Sequence, residues 1–395
     1  MRLGLISAKY PFGPKEPYLD AELRALAPSL DALTVVPATP DSRERGYDAV
    51  PGDVLRMPLF GAATLRRALR AFVRRPVRAL DALIACAANG PLPVRAKNLA
   101  VFAKGLAVAD VARERRLDHL HAYWLSTPAT VAWVAARVAG IGFSATAHRW
   151  DVYENNLAAR KLRDAAFVRT ISERGRRDLL ALTGGDPAKV RVVRLGVALP
   201  AFARASDAVP LRILCAAALV PVKGHLILLD ALAALRAAGV EFACDLAGDG
   251  PERASIAERI AALGLGDVVR LTGTIPHDEL LARLASGSYD VAVLASIERA
   301  GGLMEGVPVA LIEAMAAGAV VVATDSGSIG ELVVDDATGL LVPHSDAPAL
   351  AAALERVATD RALRERLRAT ARDRVQREFD LRATSAELQA FFAAV

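Results

Sequence analysis

The feature that most constrains this chain is a regular alternation of short apolar runs with helical stretches along nearly its whole length. Candidate strands in the first half are residues 3–8, 33–37, 54–59, 119–124, 143–147, 167–171 and 190–195. The second half offers 212–217, 241–247, 268–273, 291–295, 320–324 and 339–342. Many are unbroken Val, Ile, Leu and Ala runs rather than strict alternations, the pattern of strands covered on both sheet faces. Between them lie helical stretches such as 224–238 and 308–317, the latter with Pro308 at its start and Gly318 just past its end. Strand and helix in alternation predict an α/β chain of parallel, doubly wound sheets.

A length of 395 residues exceeds what one core usually holds, so two domains are expected. Residues 198–210 carry two prolines and no helical period, and they read as an interdomain linker. The expected organisation is an N-terminal Rossmann-like domain over 1–198, a linker over 199–210 and a C-terminal Rossmann-like domain over 211–378. A final helix, 379–395, is expected to pack back on the N-terminal domain. Ligands in such sheets sit at the carboxyl ends of the strands, in a cleft.

Composition excludes several classes. With 53% hydrophobic and 24% charged residues the chain is globular, not disordered. Cys86, Cys215 and Cys244 are far apart and fit neither a disulfide framework nor a metal-ligand spacing, so buried, reduced thiols are expected. The first residues lack a signal peptide's long apolar region, and no charge-free apolar run reaches membrane-spanning length. A cytoplasmic protein is expected, in a reducing compartment.

The net charge of +5 is unevenly spread. From Arg56 to Lys104 there are ten basic residues, Arg66, Arg67, Arg70, Arg74, Arg75, Arg78, Arg95 and Lys97 among them, against one acid, Asp81. Within residues 65–83 they alternate with Leu, Ala, Phe and Val at helical spacing. That is the pattern of a helix resting on an anionic membrane, here the inner leaflet, or of a solvated Arg-rich face packed on its apolar side. Nucleic acid is not the expected partner, because that stretch has one aromatic, Phe72, to stack bases.

The most informative segment for chemistry is 305–315, which follows an apolar strand and the Gly301-Gly302 loop. A helix opening at Pro308 leaves the N–H groups of residues 306–309 without intrahelical partners, and with the helix dipole they suit a diphosphate. Glu305 precedes the helix and Glu313 lies in its second turn. A carboxylate beside a phosphate is repulsive unless it binds hydroxyls, so a sugar and a ribose are the natural partners of the two. Alone, either glutamate reads as solvent-facing or as a loop cap.

The segment EGVPVALIEAMAAG, followed by VVVATDSGSIGELV, resembles the donor-site signature of retaining glycosyltransferases of the GT-B fold, in particular the bacterial family-four (GT4) group. LVPVKGHLILLDAL is similar to the lysine-bearing first loop of the family's C-terminal domain, and LAGDGPE and RLTGTIPHDEL to the next two, in the right order. In the first half VRTISE, KVRVVRLGV and FSATAHRWDVYE look like family segments, the last like enzymes of exopolysaccharide and colanic acid synthesis. The resemblance implies transfer of a hexosyl-type sugar, with retention, from a UDP- or GDP-linked donor to a glycan or lipid-linked acceptor. No metal or other cofactor is implied. It also implies that Lys223 meets the donor phosphates, that Glu305 orients the sugar and that Glu313 holds the ribose. Gly306, Val307, Pro308, Val309, Gly248, Thr274 and Ile275 are the other implied donor contacts.

On the same resemblance His148, at the end of its strand, contacts the donor sugar, and Asp151 either holds its ring or binds acceptor. Gly13 and Glu16, in the loop after the first strand near KEPYLDAEL, are the implied acceptor-side residues. That loop lacks the G-x-G-x-x-G of a dinucleotide fold. His119 and His121 share a strand face, but no third ligand has metal-site spacing. One departure stands out: Ala217-Ala218 replace the family's Gly-Arg, five residues before Lys223. It implies weaker donor binding, an arginine supplied from elsewhere, or a catalytically weak homologue that serves as a sugar-nucleotide-binding partner subunit.

Overall fold

The computed structural model describes residues 1–12, 16–40, 46–47, 49–201, 210–300 and 302–395. It divides into two compact units, Met1–Arg194 with Thr384–Val395, and Leu195–Ala383. Gly13 and Gly301, and residues 202–209 of the expected linker, lie outside the described residues.

Among the described residues the first unit is built on seven strands: β1 (Arg2–Ser7), β2 (Ala32–Pro37), β3 (Asp53–Val54), β4 (His119–Ala122), β5 (Gly142–Ala147), β6 (Val168–Thr170) and β7 (Val190–Val192). They are all parallel, in the order β3-β2-β1-β4-β5-β6-β7. The second unit repeats the scheme with β8 (Leu211–Ala216), β9 (Phe242–Ala247), β10 (Val269–Gly273), β11 (Val291–Leu294), β12 (Val320–Asp325) and β13 (Leu340–Pro343). Its parallel order is β10-β9-β8-β11-β12-β13. Each sheet therefore winds outward in both directions from a switch point, between β1 and β4 in one unit and between β8 and β11 in the other.

The unbroken apolar runs are explained by two-sided burial. Along β12, Val320 and Val322 join one apolar cluster, and Val321 and Ala323 join another on the opposite face. Successive strand side chains point to opposite faces, so with helices on both sides every position must be apolar. Each such Val contributes about 1.5–3 kcal/mol by burial. In the first unit Leu3 and Leu5 pack with Leu388 and Phe392 of the last helix, Leu381–Ala393, while Ile6 faces the other cluster.

Three expectations change. The strand expected over 54–59 is only the two-residue β3. The single helix expected over 65–83 is two, Ala62–Arg74 and Pro76–Ala88. Pro76 has no N–H to continue the first helix and drives Arg75 out of helical geometry, to φ −142° and ψ 57°. Lys104 does not belong to the basic surface. It is fully buried, and its ammonium donates to the carbonyls of Pro37, Ala38 (2.8 Å) and Met57 (2.6 Å), with burial lowering its pKa to about 7.

Candidate functional site

In the second unit the switch point brings together the loop after β8, residues 217–224, and the loop after β11, residues 295–308. They are tied by the Ile297 N–H, which donates to the Val222 carbonyl at 2.9 Å. Gly224 sits at φ +64°, and a Cβ there would stand 1.9 Å from the Ala295 carbonyl oxygen. Only glycine allows the two loops to approach so closely. Lys223 precedes it, at the end of a short 3-10 turn, Pro221–Lys223.

This approach unites two residues 82 positions apart. The Lys223 ammonium donates to Oε2 of Glu305, to which Ser296 Oγ also donates at 3.0 Å. Side-chain exposures of 20% and 13% leave the pair open to a ligand. Gly327, at φ +62°, lies against the Glu305 backbone, where a Cβ would meet the carbonyl oxygen at 1.8 Å. The Ser328 N–H donates to that same oxygen at 3.2 Å. The Glu305 backbone is thus held from outside while its carboxylate faces Lys223.

Behind Glu305, Gly306 and Val307 lead to the helix Val309–Ala317, with Pro308 as its cap residue rather than its first turn. Among the described residues no side chain caps this helix, so the N–H groups of Val309 and Ala310 have no intrahelical acceptor. Glu313, on the helix's second turn, is nearly buried and bonded to His277 Nε2 at 2.7 Å. That hydrogen bond raises the His277 pKa, against the opposing effect of burial. His277 follows Thr274 and Ile275 in the connection after β10, and the Gly248 N–H donates to the Gly273 carbonyl at 2.8 Å. Gly248, Thr274, Ile275, His277 and Glu313 are therefore linked through one set of loops, beside the Lys223–Glu305 pair. His277 is the residue that sequence reasoning missed. Its signal was weak, because a histidine opening a polar helix looks like an ordinary surface group.

Ala217 and Ala218 follow the end of β8, where the Ala217 N–H pairs with the Ala247 carbonyl at 3.0 Å and Gly248 presses on the Ala217 oxygen. Ala218 is exposed, and its methyl group offers nothing to an anion.

At the switch point of the first unit lies a cleft of about 560 Å³ lined by Lys9, Glu16, Tyr18, Trp124, Ser126 and Trp150, among others. Glu16 shapes it. Its Oε2 accepts the N–H groups of Lys9 (3.2 Å) and Tyr10 (2.9 Å), and its Oε1 accepts the Trp124 indole N–H. His148, just past β5, lies tilted against Trp124 with ring centroids 4.1 Å apart and is flanked by Tyr123 and Tyr18. Burial lowers its pKa to about 3, with the Arg169 charge adding to the effect, so the ring is neutral near pH 7. Its Nε2 has no partner among the described residues.

Asp151 does not hold the His148 ring. It is fully buried, and its Oδ2 accepts the Leu125 N–H at 2.7 Å. Burial raises its pKa to about 7, against the Leu125 and His148 backbone N–H groups, which favour the charged form. Its place is beneath the loop that carries Trp124. His119 and His121 are satisfied core groups, sharing Ser144 Oγ at 2.7 Å each, with His121 also on Thr146. Among the described residues no three His, Cys, Asp or Glu side chains form a group able to hold a metal ion. All three cysteines are buried and unbridged.

Comparison with known proteins gives this geometry a context. Residues 202–374 match the family model described as glycosyl transferases group 1. The chain is similar to a putative colanic acid biosynthesis glycosyltransferase of Salmonella typhimurium, 37% identical over 209 residues, 52% of this chain and 51% of that protein. It is also similar to an amylovoran biosynthesis glycosyltransferase of Erwinia amylovora, 38% identical over 200 residues, 50% of this chain and 49% of that protein. The match thus spans about half the length of these relatives. Among solved structures, Anabaena HepE in complex with UDP superposes with a TM-score of 0.77 at 17% identity, covering 100% of both chains. Sucrose-phosphate synthase of Thermosynechococcus elongatus gives 0.76 at 21% identity, again over 100% of both. At such identities the likeness shows the fold, which is that of GT-B glycosyltransferases.

Proposed function

From a group 1 glycosyl transferase domain over residues 202–374, carried on the GT-B fold, we propose that this chain transfers a sugar from a nucleoside-diphosphate donor. The reaction belongs to bacterial exopolysaccharide assembly, as the colanic acid and amylovoran relatives suggest. The observation that carries this reading is the Lys223–Glu305 pair beside the uncapped helix Val309–Ala317. A lysine and free helix N–H groups suit a diphosphate, and a carboxylate beside them suits sugar hydroxyls.

In the proposed reaction the donor diphosphate takes Lys223 and the N–H groups of Val309 and Ala310. Lys223 stabilises the charge that grows on the leaving diphosphate. Glu305 accepts hydroxyls of the donor sugar, and Glu313, oriented by His277, accepts those of the ribose. The acceptor hydroxyl attacks the anomeric carbon on the face from which the diphosphate departs. The bond from that carbon to the phosphate oxygen breaks, and the phosphate takes the acceptor proton. Configuration is retained, as in the family-four enzymes, and no metal is required.

On the acceptor side, the first unit's cleft presents Trp124, Trp150 and Tyr18, whose faces suit the apolar face of a sugar ring. The neutral His148 packs against Trp124 and Tyr18 of this lining. UDP-glucose, found with HepE, heads the donors to be tried, followed by GDP-sugars.

The exposed Ala218 favours a second reading, in which the chain binds sugar nucleotide without appreciable turnover. Release of nucleoside diphosphate from UDP- and GDP-sugars, with and without glycan acceptor, separates the two. Turnover that disappears in Glu305→Ala and Lys223→Ala supports transfer. Wild-type turnover in both variants overturns the site, and nucleotide binding with no turnover under any condition favours the second reading.

A further inference from the structure

The helices Ala62–Arg74 and Pro76–Ala88 of the first unit are packed inside out. Their small residues face the protein, with Ala68, Ala71, Ala79, Ala82 and Ala85 buried. Their large apolar residues face away. Leu65, Leu69 and Val73 recur every fourth position on the first helix, and Val77, Leu80 and Ile84 continue on the second, with exposures from 46% to 78%. Both helices lie against the helix Leu92–Glu114, so these faces turn outward from the unit. A surface helix normally does the reverse, burying its large apolar stripe. Contiguous exposed apolar side chains of this number mark an interaction surface.

A basic stripe runs beside the apolar one. Arg66, Arg70 and Arg74 each follow a stripe residue, about 100° further round the helix, and the helix has no acid. Asp110 engages Arg74 at 2.7 Å, Arg67 at 3.1 Å and Arg70 at 3.9 Å, and Glu114 engages Arg67. Asp81 is taken by Arg137. Among the described residues Arg66, Arg75 and Arg78 have no carboxylate partner. The surface is therefore apolar along one line and cationic along the next.

We propose that this face docks on an anionic lipid bilayer, with the two helices lying in the headgroup plane. Leucine, valine and isoleucine side chains would enter the acyl boundary while the arginines meet lipid phosphates. A two-fold contact with a second copy suits the surface less well, because symmetry would set the same cationic stripes against each other. Among the described residues no helix is long and apolar enough to cross a membrane, so the contact is peripheral. The proposal itself does not depend on the sugar-transfer reading.

Flotation of the full chain with vesicles, in the absence of any sugar donor, tests it. Vesicles of phosphatidylcholine and phosphatidylglycerol in equal parts are expected to carry the protein, and phosphatidylcholine alone is not. The double variant Leu69→Glu, Val77→Glu is expected to lower the bound fraction at least about tenfold. Both positions are exposed, so its circular dichroism and Tm should match the wild type. A second variant, Arg66→Gln with Arg75→Gln, should weaken binding and reduce its sensitivity to salt. Absence of binding to the anionic vesicles, or equal binding by the Leu69/Val77 variant, overturns the proposal. So does a dimer seen by sedimentation velocity that this variant abolishes, which would make the face an interface between copies.

Discussion

Replacing Glu305 by glutamine should separate nucleotide binding from sugar transfer, and in an unusual direction. The Lys223 ammonium is engaged by the Glu305 carboxylate, so a donor diphosphate must compete for it. The pair is partly exposed, at 20% and 13%. A pair in that setting is worth about 1 kcal/mol. Glu305→Gln removes this competition and the repulsion between carboxylate and phosphate. Bare UDP or GDP should therefore bind equally well or up to about fivefold more tightly. The intact nucleotide sugar should lose that advantage, because an amide is a poorer acceptor for its hydroxyls, and turnover should collapse. Lys223→Met should do the opposite to the bare nucleotide. Loss of one charge-assisted bond to phosphate costs about 1.5–3 kcal/mol, or roughly ten- to a hundredfold in Kd. Isothermal titration of both variants with nucleoside diphosphate reads these changes. A tenfold loss of UDP and GDP affinity in Glu305→Gln would refute the reasoning, since it would make the carboxylate a nucleotide ligand.

Ala218→Arg places a guanidinium at an exposed position of the loop after β8. It should tighten nucleoside diphosphate binding by about 1.5–3 kcal/mol, and an unchanged Kd would place the phosphates elsewhere. Arg169 and Glu22 form a buried ion pair at 2.7 Å, with Tyr123 also donating to Glu22. Arg169→Met should cost about 3–5 kcal/mol in urea unfolding, and Glu22→Gln added to it should recover part of that loss. Burial lowers the pKa of His119 and His225 to about 4 and that of His148 to about 3. Unfolded histidines take up protons near 6.5, so the stability these residues give is complete above that pH and is lost as pH falls toward the folded values. At about pH 5 a shift like that of His119 costs about 2 kcal/mol. Tm should fall steeply below about pH 6.5, less so in His119→Gln, and a flat profile would contradict the burial argument.

The two doubly wound sheets were legible because burial on both faces writes itself into unbroken apolar runs such as 320–324. The short β3 was not, because beyond Leu55, whose N–H still donates to the Val35 carbonyl, residues 56–59 stay largely apolar outside the sheet. The two helices 62–74 and 76–88 read as one, since an arginine-rich period runs through Pro76. What the sequence could not convey is partnership over long range. The union of Lys223 with Glu305 depends on the adjacency of β8 and β11 and on Gly224 allowing close approach. Lys104 read as surface charge, because a lysine wrapped in three carbonyls looks like any other until the loops around it are placed. Asp110 and Glu114, which pair with arginines of the helix 62–74, lie beyond the basic stretch 56–104. His277 was hidden because its partner, Glu313, is 36 residues away.

The proposed reaction is sugar transfer with retained configuration at the Lys223–Glu305 site. Proton NMR of the product formed from a UDP- or GDP-linked α-sugar and a glycan acceptor tests it most directly. An α-linked product is expected, and it should be absent when Glu305→Ala replaces the wild type. A β-linked product, or an α-linked product formed equally well by the variant, would contradict it.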